Sequence, residues 1–168
     1  MSSKTWPGVI GPEAGEAIFG ALRAVAEQSF FAAAERCDAA AFDALAARVP
    51  AWLVSSVQFE EGEFAGVMSC SLPGTLAERL FQAFAGRDPA DPPPAWEAVH
   101  DLVGEFANMV CGAWLSRSGT GRAFVLGQPG VVRARAAAGG GGLLLRVVVD
   151  DAPIAIAVQG TAAGGGSA

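Results

Sequence analysis

Apolar and polar positions recur along this chain with two periods, and the changes of period mark its elements. From Pro12 to about Arg36, the residues Phe19, Leu22, Ala26, Phe30 and Ala33 fall at helical spacing, and the many alanines favour a helix. Asp38 to Ala47 reads as a short second helix that Asp38 can cap and Pro50 stops. Trp52 to Glu60 then alternates, with Leu53, Ser55, Val57 and Phe59 against Val54, Ser56 and Gln58. Glu63 to Leu72 follows as a second strand, with Phe64, Val67 and Met68 as core candidates. Glu60-Glu61-Gly62 between them reads as the turn of a hairpin. Thr75 to Phe84 is a helix with Leu76, Leu80 and Phe84 on one face, ended by Gly86.

The longest periodic segment is Pro94 to Ser118. Asp91 can cap it, Pro92 to Pro94 suit a helix start, and Gly119 and Gly121 end it. At about 100° per residue, Val99, Leu102, Val103, Phe106, Met109, Val110 and Ala113 share one broad apolar side. Four short strand-like segments follow: Arg122 to Leu126, Gly130 to Ala136, Leu143 to Val149 and Pro153 to Val158. Asp150-Asp151-Ala152 reads as a hairpin turn, as does Gly139 to Gly142. Met1 to Gly11 reads as a loose start, 12–160 as one domain, and Thr161 to Ala168 as a disordered Gly- and Ala-rich tail.

Composition narrows the class. A hydrophobic fraction of 52% in 168 residues supports a sizeable core, and the length fits one domain. A net charge of −6 without a basic patch makes nucleic acid an unsuitable partner. Cys37, Cys70 and Cys111 are odd in number and lack C-x-x-C spacing, so they read as reduced thiols of a cytoplasmic protein. No signal-peptide pattern is visible, and no apolar run is long enough to span a membrane.

The polar side of the long helix carries the candidate chemistry. Asp101, Glu105, Asn108 and Gly112 are spaced 4, 3 and 4 residues apart and form a narrow strip. Asn and Gly are poor mid-helix residues, Gly by about 1 kcal/mol relative to Ala. An acid and an amide one turn apart, beside a residue without a side chain, offer two polar probes on a flat spot for a partner. The angular sorting predicts Glu105 and Asn108 exposed, with Phe106 and Val110 buried. On spacing alone an ordinary solvated face explains the strip as well.

Other constellations are missing. The sole histidine, His100, has no second metal ligand nearby and reads as a residue packed at the apolar boundary. There is no nucleophile elbow, no Rossmann glycine pattern and no P-loop. No metal site and no cofactor are expected in the chain itself. An amide is no general base, but its carbonyl and NH₂ can hold a water in line with an electrophile, and Glu105 can pair with a partner's Lys.

The string Gly104-Glu105-Phe106-Ala107-Asn108-Met109, followed by Gly112, resembles the E-x-x-N helix of the CheC/CheX/FliY family of chemotaxis phosphatases. The likeness extends from about Val54 to Val158, and Gln128-Pro129-Gly130-Val131-Val132 resembles the Pro-x-Val-Val segment that follows the motif helix in CheX-type proteins. Two-site members carry a second E-x-x-N on the first helix. Here Glu27-Gln28-Ser29-Phe30 has Phe in place of Asn, so the chain resembles the single-site CheX type.

The resemblance implies an α+β fold, a largely antiparallel β-sheet with two long helices packed on a face. It implies Glu105 and Asn108 as catalytic residues, with Asp101 and Gly112 on the binding surface. The implied substrate is a phosphorylated CheY-like receiver domain, which brings its own Mg²⁺. Asn108 would orient the attacking water and Glu105 would engage the receiver's Lys. A homodimer joined through the sheets is a further expectation. A non-catalytic receiver-binding or flagellar-switch module on the same fold is the alternative, and a small-molecule binding domain a third.

Overall fold

The computed structural model of the protein describes residues 13–62, 64–117, 123–139 and 142–162. The expectations for Met1 to Gly11, for helix-ending Gly119 and Gly121, and for residues 163–168 lie outside them.

The first helix, α1, runs Ala14–Phe30 rather than to Arg36. Phe31 adopts the left-handed conformation with φ 54°, and its N–H and that of Ala32 both close on the Ala26 carbonyl. The chain then leaves the helix axis, and Ala34–Arg36 becomes a strand, β1. Alanine content favoured continuation, but ladder partners on another strand outweighed it. Ala33, expected in the apolar stripe, is exposed. Helix α2 spans Ala39–Ala46, with the Asp38 side chain accepting from the Ala41 N–H at 2.8 Å as the sequence predicts.

Strands β2 (Trp52–Glu61) and β3 (Phe64–Pro73) form the central hairpin. Helix α3 (Gly74–Phe84) and helix α4 (Trp96–Arg117) follow. The chain closes with β4 (Val125–Leu126), β5 (Gly130–Ala134), β6 (Leu143–Val149) and β7 (Ala152–Ala162). Asp150 and Asp151 both have positive φ, 46° and 66°, as a two-residue hairpin turn requires. Strand β7 continues past Val158 through Thr161 and Ala162, which pair with Ala65 and Phe64, so these two residues, expected in a disordered tail, belong to the sheet. The long β3 supplies hydrogen-bond partners to residues of poor strand propensity.

All pairings are antiparallel, in the order β1-β6-β7-β3-β2-β4, with β5 beside β4 on the same edge of β2. Leu53, Val57 and Phe59 of β2 share the core with Met68 and Leu72 of β3 and with residues from α1, α3 and α4. Val67 lies on the opposite side of β3 and is only half-buried. Phe30 sits between Phe106 and Phe84, with ring centroids 5.4 Å apart in each case. Burying a ring of this size contributes about 2–3 kcal/mol. On the reverse face α2 covers one end of the sheet, where Phe42 packs on Trp52, Val54 and Ala155. The fold is therefore the expected α+β class, with α3 added to the two long helices and α2 on the other side.

Candidate functional site

Helix α4 begins two residues after the expected start, because Asp91 does not cap it. The Asp91 carboxylate instead accepts from the Asp88 N–H at 3.0 Å and lies 3.8 Å from Arg87. Prolines hold the residues before them extended, so the capped turn sits upstream of Pro92–Pro94. The Ala95 carbonyl receives the first N–H groups, from Ala98 and Val99. From there the apolar side packs as its spacing predicts. Val99, Leu102, Val103, Phe106 and Val110 are buried, and Met109 and Ala113 are half-buried against them.

The polar strip does not open onto plain solvent. Strands β4 and β5 lie along one edge of β2 but are not continuous. Between the pairs Ser56↔Gly130 and Phe59↔Leu126, Val57 and Gln58 face Gly127, Gln128 and Pro129. That single extra residue is a β-bulge. It lets Leu126 and Val131, five positions apart, both point to the helix side, where both pack against the core.

Three contacts hold the bulge to its neighbours. The Gly127 N–H donates to the Gln58 carbonyl at 2.8 Å. Pro129 lies over Gly104, where an added Cβ would come within 3.2 Å of its Cγ. His100 Nε2–H donates to the Val131 carbonyl at 3.0 Å, and its ring packs edge-on to Trp96. His100 thus has the boundary role expected of it.

The result is a cleft of about 480 Å³ with the α4 strip as one wall and the bulge as the other. Asp101, Glu105 and Asn108 line it from the helix, and Gln128 and Pro129 from the bulge. Asp101 is exposed, and Glu105 is exposed as predicted. Asn108 is not. It is half-buried, and its Oδ1 is shielded from solvent with no hydrogen-bond partner among the described residues. The bulge covers this part of α4, which helical periodicity alone cannot reveal. Gly112, expected on the binding surface, is half-buried and faces Leu126, whose Cδ1 would lie 3.7 Å from an added Cβ.

The remaining candidate groups have structural surroundings. Cys70 and Cys111 are buried together in the core. Burial pushes the Cys111 thiol up to about 12, and burial with Cys111 nearby raises Cys70 further. Both are protonated and unreactive at neutral pH. Phe30, which occupies the Asn position of a second motif, is 1% exposed, and Glu27 pairs with Arg23 at 2.9 Å. Among the described residues no group of three His, Cys, Asp or Glu side chains is placed to hold a metal ion, and no helix is long and apolar enough to cross a membrane. Sequence reasoning missed Gln128 as a member of the site. Its signal was a Gly-Gln-Pro-Gly run interrupting an otherwise strand-like stretch.

This antiparallel sheet with its helices is the fold of a known class of chemotaxis proteins. A CheX from Vibrio vulnificus has the same fold at 20% identity, with a TM-score of 0.66 over 87% of this chain and 95% of that one. A CheX from Desulfovibrio desulfuricans aligns at 14% identity and TM-score 0.66, covering 89% and 99% of the two chains. A CheX–CheY–BeF3–Mg²⁺ complex from Borrelia burgdorferi contains a similar chain at 12% identity and TM-score 0.56, covering 86% and 96%. No curated protein matches the sequence. The sequence profile of the family described as chemotaxis phosphatase CheX matches residues 53–138, and the protein belongs to that family.

Proposed function

We propose that this protein is a phosphatase of a phosphorylated CheY-like receiver domain, acting through Asn108 and Glu105. The observation that carries the reading is the placement of both residues on one cleft, one helical turn apart, with the Asn108 carboxamide oxygen lacking any hydrogen-bond partner among the described residues. A native buried polar atom without a partner calls for an explanation, and an intermolecular role supplies one. The substrate is an aspartyl phosphate. Water attacks phosphorus, the bond from phosphorus to the carboxylate oxygen breaks, and the products are inorganic phosphate and the free aspartate carboxylate. The chain supplies no nucleophile. Its part is to place the water and exclude disorder from the approach, as suits a reaction with little covalent work for the protein. A half-turn about Cβ–Cγ exchanges the isosteric O and NH₂ of Asn108, so either end can face the entering partner. Glu105, exposed and acidic, pairs with a receiver Lys and sets the register. Membership of the CheX family and the CheX–CheY complex of a protein with the same fold support this partner.

A second reading follows from the shielding of Asn108 Oδ1: the cleft docks a receiver without hydrolysing its phosphate. Loss of the phosphoryl group from a panel of phosphorylated receivers, timed with and without the protein, separates the two. The phosphatase reading expects faster loss with wild type, and with Asn108→Ala no acceleration but retained binding. Equal acceleration by Asn108→Ala would sink the mechanism, and binding without acceleration by wild type would establish the docking reading.

A further inference from the structure

We propose that Gln128, at the tip of the β4–β5 bulge, is a partner-contacting residue that positions the receiver in the cleft opposite Asn108. The inference rests on the receiver reading above and extends the site from one helix to two walls.

A continuous strand along β2 would make more ladder hydrogen bonds than the interrupted one. The bulge replaces part of that ladder with the single Gly127 to Gln58 bond. Bulges concentrate next to functional sites because the extra residue re-aims a side chain. Here the re-aimed side chain is Gln128. It is exposed, lines the same cleft as Glu105 and Asn108, and makes no hydrogen bond among the described residues. Its backbone is fixed on both sides, by Gly127 bonded to Gln58 and by Pro129 seated on Gly104. A polar side chain on a pinned backbone loses less freedom on binding than one on a free loop.

The chemistry of the two walls differs. The helix wall carries the acids Asp101 and Glu105, suited to a cationic side chain, whereas Gln128 offers one neutral acceptor and a paired donor. That combination fits a peptide group. Gln128 therefore binds the main chain of the receiver loop that enters the cleft, and it acts on affinity and orientation rather than on the phosphoryl transfer.

The test uses the full chain and a receiver domain bearing beryllofluoride and Mg²⁺ at its phosphoacceptor aspartate, alongside turnover of the phosphorylated receiver. Gln128→Ala should raise Kd and KM roughly threefold to tenfold, the value of an interfacial hydrogen bond, while kcat stays within about twofold. Its Tm should match wild type, and Val132→Ala, an exposed change on β5 outside the cleft, should alter neither constant. Unchanged Kd for Gln128→Ala would overturn the proposal, as would a fall in kcat at constant KM. Wild type that binds the charged receiver while Asn108→Ala hydrolyses at the wild-type rate would remove the catalytic reading and leave the Kd of Gln128→Ala to decide this one. Absence of wild-type binding would defeat both.

Discussion

Gly104 of α4 and Pro129 of the β4–β5 bulge meet so closely that a Cβ on the glycine would lie 3.2 Å from the proline Cγ and 3.5 Å from Val131 Cγ2. The missing side chain lets the helix approach the sheet edge one turn before Asn108. The intrinsic helix penalty of glycine, about 1 kcal/mol, is thereby offset by close packing that forms the cleft wall.

Gly104→Val should be destabilising despite relieving that penalty. The added methyl groups must displace Pro129 and Val131, and overpacking of this kind costs about 1–3 kcal/mol. Chemical denaturation should show the loss. Binding of the receiver should weaken as well, because the moved wall carries Gln128. Wild-type stability and binding in this variant would mean that the bulge is not seated on Gly104.

Asn108→Ala should stabilise the isolated protein by about 1 kcal/mol. It removes a shielded carbonyl that has no partner among the described residues and introduces the best helix former. Phosphatase activity should fall about 100-fold, the scale for losing one well-aimed polar group. Equilibrium unfolding and phosphate release on the same preparation check both halves. A drop in stability would show that the amide has an internal partner after all.

Glu27→Ala should leave receiver dephosphorylation unchanged. Among the described residues the side chain forms only an exposed pair with Arg23, and its would-be Asn partner is the buried Phe30. Exposed pairs of this type contribute about 0.3–0.5 kcal/mol, so the unfolding midpoint should barely move. A large activity loss with normal folding would reveal a second site on α1.

Stability should decline in alkali with a slope set by the buried thiols. Folding raises the pKa of Cys111 to about 12 and raises that of Cys70, whereas thiols of the unfolded chain ionise near about 8.5. Above that pH the unfolded state binds fewer protons than the folded state, so unfolding becomes easier as pH rises. The contribution is fully present below about pH 8.5 and is lost at about 1.4 kcal/mol per pH unit for each thiol. Cys111's share of the decline ends as pH reaches about 12. The chain has no tyrosine and a single lysine, Lys4, so few other groups titrate in this window. Denaturation of wild type and Cys111→Ala from pH 8 to 10 should show the slope roughly halved in the variant. Equal slopes would argue that Cys111 is not buried as a thiol.

Local patterns in the sequence determined the elements that make their own case. The apolar side of α4, the Asp38 cap of α2, the pairing of β2 with β3 and the Asp150-Asp151 turn stand as their residues predict, although Glu60 and Glu61, expected in the β2–β3 turn, are ladder residues of β2. Glu105 is exposed on the polar side of α4 as its spacing predicts, and the α+β class stands as the family resemblance implied. Periodicity reports the face of an element, and each of these depends on residues within one turn or one hairpin.

Tertiary structure decided what depends on distant neighbours. Arg36 left the helix because β6 offered a ladder to residues 34–36, and β7 reached Ala162 because β3 was long enough to pair it. Asn108 was legible as a member of the polar strip but not as a half-buried one. Its surroundings come from the extra residue in the β4–β5 edge, set by register against β2, and from Pro129 settling on Gly104. A helix face is written in 3.6-residue spacing, but what closes over that face is written in strand register, a long-range choice that local spacing does not carry.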